Sequence, residues 1–308
     1  MYLNKIRSLN LLIYTDTINL NIMKKVILVA VVFLIIVQTQ TKAQIRFHVG
    51  MSTALNSTFV LDKGLKADPR YLSTATYKWA PVGFTFGVDF GKHVGLSLES
   101  IKAAQGQIYE VIDAFEKVQG YRDFDMSYLQ FPLLLKFMSG GDGLARFNFQ
   151  IGPQLSLLQG GSTEILKYAQ SIQSIPDGVV APDGAVLLPD GNYDVPAVDE
   201  IISSSDDIQN LFGDFQSKEI QLAAAVGASF DITRNLYLVT NIKANYSFTD
   251  MRGQELLDIV KSGSVSEIFD QRANLAVGLQ LSVHWMIGGT RFFNAKDKKL
   301  RDSMKSDN

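Results

Sequence analysis

The 308 residues carry a formal charge of -2 at pH 7, which leaves no basic footprint for nucleic acid. Cys is absent, and with it disulfides, thiol nucleophiles, Cys-bound zinc, iron–sulfur clusters and the Cys-based anchor of a lipoprotein. Only 19% of residues are charged while 46% are apolar and 10% aromatic, a mixture that suits short strands and turns better than long helices.

Met23-Lys24-Lys25 precedes a wholly apolar run from Val26 to Val37, followed by the polar stretch Gln38 to Gln44. The order basic, apolar, polar is that of a signal peptide, and the run falls short of the roughly 20 apolar residues that a bilayer-spanning helix needs. The expected organisation is therefore a non-native upstream extension at 1–22, a signal peptide at 23–43 with cleavage after Ala43, a barrel at 44–290 and a basic periplasmic tail at 291–308. Translation is expected to begin at Met23.

From Gln44 onward, strict alternation of apolar and polar residues marks strands with one greasy and one wet face. Ile45, Phe47, Val49, Met51 and Leu55 alternate with Arg46, His48, Gly50, Ser52 and Ala54. Val82 to Asp89 and Val94 to Glu99 follow the same rule, the latter becoming ambiguous beyond Ser100. Leu129 to Phe137 comes next, then Arg146 to Leu157, where Phe147, Phe149, Ile151 and Leu155 oppose Arg146, Asn148, Gln150 and Gln154. Ile220 to Asp231, Leu236 to Thr249 and Asn274 to Ile287 complete eight such segments.

A soluble β-sandwich also alternates, but the connections separate the two architectures. Gly91 to His93, Ser139 to Leu144 and Thr233 to Asn235 are short, whereas Ser57 to Lys78, Gly106 to Phe124, Gln159 to Glu219 and Asp250 to Arg272 are long. Short periplasmic turns facing long external loops are the habit of outer-membrane barrels. The expected fold is all-β: an eight-stranded antiparallel transmembrane up-and-down β-barrel with long extracellular loops containing short helices. Thr163 to Ser171, Val198 to Phe212 and Glu255 to Val260 carry apolar residues at helical intervals and are expected as those helices.

The segment Tyr128-Leu129-Gln130-Phe131-Pro132-Leu133-Leu134-Leu135-Lys136 resembles the fourth-strand signature of the PorT-like outer-membrane β-barrel family of Bacteroidota-type bacteria, and Gly152-Pro153-Gln154-Leu155 looks like its next strand. Ala43-Gln44 is similar to the end of the signal peptides such proteins carry. The resemblance spans Gln44 to about Thr290 and implies an outer-membrane barrel. The family's namesake is linked to type IX protein secretion. This chain departs from the compact form by an insertion of about 60 residues, Gln159 to Glu219, far above ordinary loop lengths.

The inward faces collect Arg46, His48, Glu99, Lys136, Arg146, Gln150, Lys243 and His284, with Asp231 among them. An eight-stranded barrel is just wide enough for side chains to fill it, so this set is expected to plug the lumen with salt bridges and hydrogen bonds. His48 and His284 lie on strands that must pair to close the barrel and are expected as neighbours, yet two His without a third ligand make a poor metal site. Hydrolysis would need a nucleophile and an orienting acid within reach, so no catalytic, cofactor or metal residue is expected. The insertion repeats Pro-Asp-Gly three times, and Asp177, Asp183, Asp190 and Asp194 make it the candidate binding loop. Their spacing does not match an EF-hand, which favours ordinary surface turns.

The expected role is binding or scaffolding at the cell surface, with outer-membrane lipid around the wall and a protein partner met through the external loops or the periplasmic tail. A subunit of a secretion or assembly machine is the setting the resemblance implies. A narrow channel and a lipid-modifying enzyme are the alternatives.

Overall fold

The computed structural model describes residues 45–139, 145–204, 215–233, 235–254, 257–258 and 271–287. The segments expected as an upstream extension, a signal peptide and a basic tail lie outside them. In chain order the elements are β1 (Ile45–Asp62), α1 (Lys63–Ala67), β2 (Tyr71–Thr74), β3 (Thr76–Phe90), β4 (Val94–Ile112), β5 (Val118–Met138), β6 (Ala145–Leu158), β7 (Thr163–Tyr168), β8 (Ser171–Gln173), β9 (Val186–Leu187), β10 (Tyr193–Val195), β11 (Val198–Ser204), β12 (Lys218–Asp231), β13 (Leu236–Ser247) and β14 (Arg272–Ile287).

Eight of these strands close on themselves in the order β1-β3-β4-β5-β6-β12-β13-β14 and back to β1. The first and last strands pair over almost their whole length, from Phe47 opposite Ile287 to Asp62 opposite Arg272. Closure matters because an open edge would leave unpaired backbone N–H and C=O groups, each costing several kcal/mol in hydrocarbon. Period-2 alternation sorts the side chains: on β1, Arg46, His48, Ser52 and Ala54 are buried inside while Phe47, Val49, Met51 and Leu55 stand exposed on the outer wall. Leu279, Leu281, Val283 and Trp285 of β14 extend that wall.

The strands overshoot. β4 and β5 contain 19 and 21 residues, about twice the 9–11 that cross a bilayer at a tilt. Their extra lengths stay paired with each other, from Gln105 opposite Met126 to Ile112 opposite Val118. β7 adds to β5 along Gly120 to Asp125, β11 adds to β7, and β2 adds to β4 along Ile108 to Val111, giving a projecting sheet β2-β4-β5-β7-β11. The ambiguity beyond Ser100 is resolved, since β4 runs on with Ile101, Ala103, Gln105, Gln107 and Tyr109 buried on one face.

Two expectations are corrected here. Ser57 to Lys78 and Gly106 to Phe124 are not long loops: most of each is strand, and the second narrows to a turn in which Asp113 accepts from the backbone of Phe115 and Lys117. The helices expected at Thr163 to Ser171 and Val198 to Phe212 are strands where they are described, as β7, β8 and β11; 205–214 lie outside the described residues. Thr163, Ile165, Val198 and Ile201 are β-branched and lose less as strand than as helix. Short isolated helices are marginal, whereas the protruding flank of β5 offers a ready row of backbone partners. Among the described residues α1 is the one complete helix, with Asp62 accepting from Leu65 as its N-cap. Gln254, Leu257 and Asp258 are also helical, and the rest of Glu255 to Val260 lies outside the described residues.

Apolar layers hold the fold at several heights. At the loop end, Val60, Leu65, Tyr109, Phe124, Met126, Tyr128, Phe215 and Met251 form one buried cluster. Ala54, Ala80, Ile101 and Ala103 form a second, and Tyr237, Val239 and Met286 a third at the turn end. The insertion has its own small core: Val195 of β10 packs with Tyr168 of β7 and Val111 of β4, with Tyr193, Ile175 and Ala185 against them.

Candidate functional site

Inward parity on each strand sends polar side chains into the lumen, and the register decides which of them meet. At the turn end, Lys136 of β5 bridges to Asp89 of β3 at 2.8 Å and lies 3.2 Å from Nε2 of His48. The His48 and His284 rings meet edge to face, 5.1 Å apart, and Tyr237 stacks on His284 at 4.9 Å. Nε2 of His284 is 2.9 Å from the Ser282 hydroxyl. Two glycines make room for the rings. A Cβ at Gly87 would stand 2.2 Å from His48, and one at Gly50 would stand 2.5 Å from Nδ1 of His284.

Around this cluster, Lys243 donates to Glu99 at 2.7 Å, Gln280 donates to the same oxygen at 3.2 Å, and Arg146 pairs with Asp231. Arg46 donates to the carbonyl of Gly91 in the first turn, and Gln150 donates to Asn148 at 3.0 Å. All eight residues singled out as the lumen network are buried. A cavity lined in part by His48, Glu99, Lys136, Gln150 and His284 measures about 20 Å³, room for about one water molecule.

Higher up, the lumen is filled by amides and then by apolar groups. Gln154 donates to Gln221 at 2.7 Å, Gln221 reaches Gln105 at 3.3 Å, and Glu219 accepts from Tyr128 and from Asn274. Above the apolar cluster, Glu164 accepts from Arg122 and Arg272, and Arg272 also pairs with Asp62. Arg122 and Arg272 both lie over the Phe124 ring, within 5.5 Å of its centre. Desolvation opposes the Arg122 charge and the Glu164 carboxylate restores it, so the guanidinium ends above its ordinary range.

Asp89, Tyr237, Glu219, Tyr128 and Arg122 were not singled out from the sequence. Asp89 was within reach, since it occupies an inward position of a segment already recognised as a strand. Arg122 was hidden because its stretch looked like loop. In the insertion, Asp177, Asp183 and Asp190 are exposed at the three turns, whose glycines Gly178, Gly184 and Gly191 take φ of 83, 80 and 86°. Asp190 accepts from Asn192 and Asp194 from Gln170, each at 3.0 Å, so these two carboxylates shape local structure. Among the described residues no three His, Asp or Glu side chains are grouped as metal ligands.

The sequence profile of the family described as "Outer membrane protein beta-barrel domain" matches residues 38–253. No curated protein matches the chain. Among solved structures it is similar to the outer membrane protein OprG from Pseudomonas aeruginosa, with 12% identity over 80% of this chain and 98% of that one and a TM-score of 0.39. Neisserial surface protein A shows 10% identity, 77% and 96% coverage and a TM-score of 0.34. Ail, the attachment invasion locus protein of Yersinia pestis, shows 9% identity, 78% and 99% coverage and a TM-score of 0.33.

Proposed function

The chain belongs to the outer membrane protein beta-barrel domain family, and from that premise we propose that it acts as a closed anchor carrying a binding or scaffolding platform at the cell surface. The observation that carries this reading is the continuity of β4 and β5. They run unbroken from a filled lumen into the projecting sheet, so the insertion is mounted on strands continuous with the wall. Function tends to reside on loops held by a rigid scaffold. Outer-membrane lipid meets the apolar outer wall, and a protein partner meets the projecting sheet and the insertion. The resemblance to the PorT-like family supports a secretion or surface-assembly machine as the setting.

The same proposal treats the chain as non-enzymatic. Its buried His, Ser and Glu groups line space for about one water, too little for a substrate. A steady channel is disfavoured for the same reason.

Two measurements test the reading. Gently solubilised membranes are run on a native gel with the full chain and with a variant in which 170–197 are replaced by a short Gly-Ser link. The full chain is expected in an assembly larger than itself and the variant as a lone, still heat-modifiable barrel. A full chain that always migrates alone would overturn the scaffolding reading. A steady ion current through the purified protein in a planar bilayer would replace it with the channel reading.

A further inference from the structure

The small sheet of the insertion, β8-β10-β9, has one covered face and one open face. Side chains alternate across a strand. Ser171, Gln173 and Val195 are buried, and Val195 and Tyr193 pack with Tyr168 and Val111 of the projecting sheet. Ile172, Asp194 and Val186 stand opposite one another in register and therefore share the other face, in the order apolar, acidic, apolar. The tip of the β4–β5 hairpin continues this row, because the Ala114 N–H donates to the Ile172 carbonyl at 2.8 Å. Phe115 at that tip is 75% exposed, and Val186 and Leu187 at the other margin are 60% and 61% exposed. These apolar groups are held in place by strand pairing and by the Asp113 carboxylate, which accepts from the N–H groups of Phe115 and Lys117, so they stay in water until something covers them.

The charge around them has one sign. From Ala169 to Val198 the chain carries Asp177, Asp183, Asp190 and Asp194 and no Lys, Arg or His. Asp177 and Asp190 lie in the turns that leave the sheet at the end marked by Gln173, Tyr193 and Leu187, and Asp183 lies in the turn at the other end. The backbone N–H of Asn192 holds the Asp190 carboxyl below its ordinary range, so it remains ionised. Asp194, at the centre of the open face, accepts from Gln170, an uncharged amide, at 3.0 Å. Lys167, at the border of this stretch, is paired with Asp199 at 2.6 Å, and Glu116 and Lys117 at the hairpin tip offset one another.

We propose that this face docks a cationic segment of a partner protein, one in which Lys or Arg stands among apolar residues. The apolar side chains cover Ile172, Val186 and Phe115 while the cation meets Asp194. A Lys or Arg stem covers apolar surface as its head reaches a carboxylate, and the surrounding aspartates draw such a segment in. A second copy of the chain would set like charges together. A dissolved metal ion would leave the apolar groups uncovered, and among the described residues these aspartates are not grouped as ligands. The docking face deepens the platform reading given above and depends on it for its setting at the cell surface.

The full chain in nanodiscs of zwitterionic lipid is titrated with three synthetic peptides of equal length. One is built of Lys and Val, the second has Glu in place of Lys, and the third has Ser in place of Val; empty nanodiscs give the blank. Only the Lys and Val peptide is expected to bind well, and less so as salt rises. Asp194→Lys and Val186→Ser should each weaken it about tenfold or more, whereas Asp125→Asn, beside Lys78 at 3.0 Å, should leave it unchanged. Equal binding of either control peptide, no binding above the blank, or binding indifferent to Asp194→Lys would overturn the proposal. Should Asp194→Lys not fold, as heat modifiability shows, Val186→Ser and the peptide series decide. The native gel separates this face from the platform itself. An assembly that survives Asp194→Lys keeps the platform and removes this face as its contact, whereas selective peptide binding by a chain that always migrates alone keeps the face and removes the scaffold.

Discussion

Lys243 of β13 donates to Glu99 of β4 at 2.7 Å with both side chains buried, so a single ion pair spans the lumen between strands that are not neighbours in the ring. Removing one partner leaves a buried charge with only part of its solvation replaced. Lys243→Met should therefore cost about 3 kcal/mol, while Glu99→Gln combined with Lys243→Met should recover most of that loss. Urea unfolding in lipid vesicles, read by the mobility of the unboiled protein, makes the comparison. A double variant as unstable as the single one would show that the loss does not come from the unpaired charge.

Gly106 takes φ of 147°, and a Cβ there would fall 1.7 Å from the Phe124 carbonyl oxygen. Gly106→Ala must distort the β4–β5 ladder where it leaves the barrel, at a cost of about 2 kcal/mol or more. Gly178 also has a positive φ, 83°, but open space around it, so Gly178→Ala should cost roughly 1–2 kcal/mol and only locally. Stability curves for the two variants should separate in that order.

Leu281 is 42% exposed in the middle of the outward row of β14. Leu281→Arg should destabilise the protein in a bilayer by about 2–4 kcal/mol, the cost of a cation near the hydrocarbon midplane. Refolding yield into vesicles as a function of urea measures it. A neutral result would mean that this face does not meet lipid.

Glu164 stands in the projecting sheet, outside the barrel wall. Burial pushes its carboxyl up, but Arg122 and Arg272 more than offset that and hold it below the usual range. A carboxyl lowered on folding contributes stability above its unfolded value, near about pH 4.3, and loses it as pH falls through the native value. Exchange of β7 amides, corrected for intrinsic rates, should stay level from pH 7 to 5 and accelerate below about pH 4. Glu164→Gln should exchange faster throughout and lose that inflection. Identical profiles for both proteins would remove Glu164 as the tie that holds β7.

Much of the wall was legible in the sequence because burial of one strand face is a local property. A residue and the one two places on share a side, so Arg46, His48, Lys136 and His284 could be sent inward without knowing what they would meet. Long and short connections in alternation pointed to closure over stacking, although the connections at Ser57 to Lys78 and Gly106 to Phe124 proved to be mostly strand. The helical reading of Thr163 to Ser171 failed because intervals in a short window cannot reveal that a neighbouring strand will project far enough to pair with it.

The sequence by itself determined which side of the wall the residues of the eight alternating segments occupy, and hence a barrel with an apolar outside and a polar inside. Tertiary structure alone decided that Lys136 meets Asp89, that Lys243 reaches Glu99, and that β2, β7 and β11 extend the wall into a platform. The physical reason is that alternation survives any slide of two residues along a strand, while a salt bridge across the lumen does not. Such a bridge depends on the register between every neighbouring pair around the ring, and that register is fixed when the barrel closes.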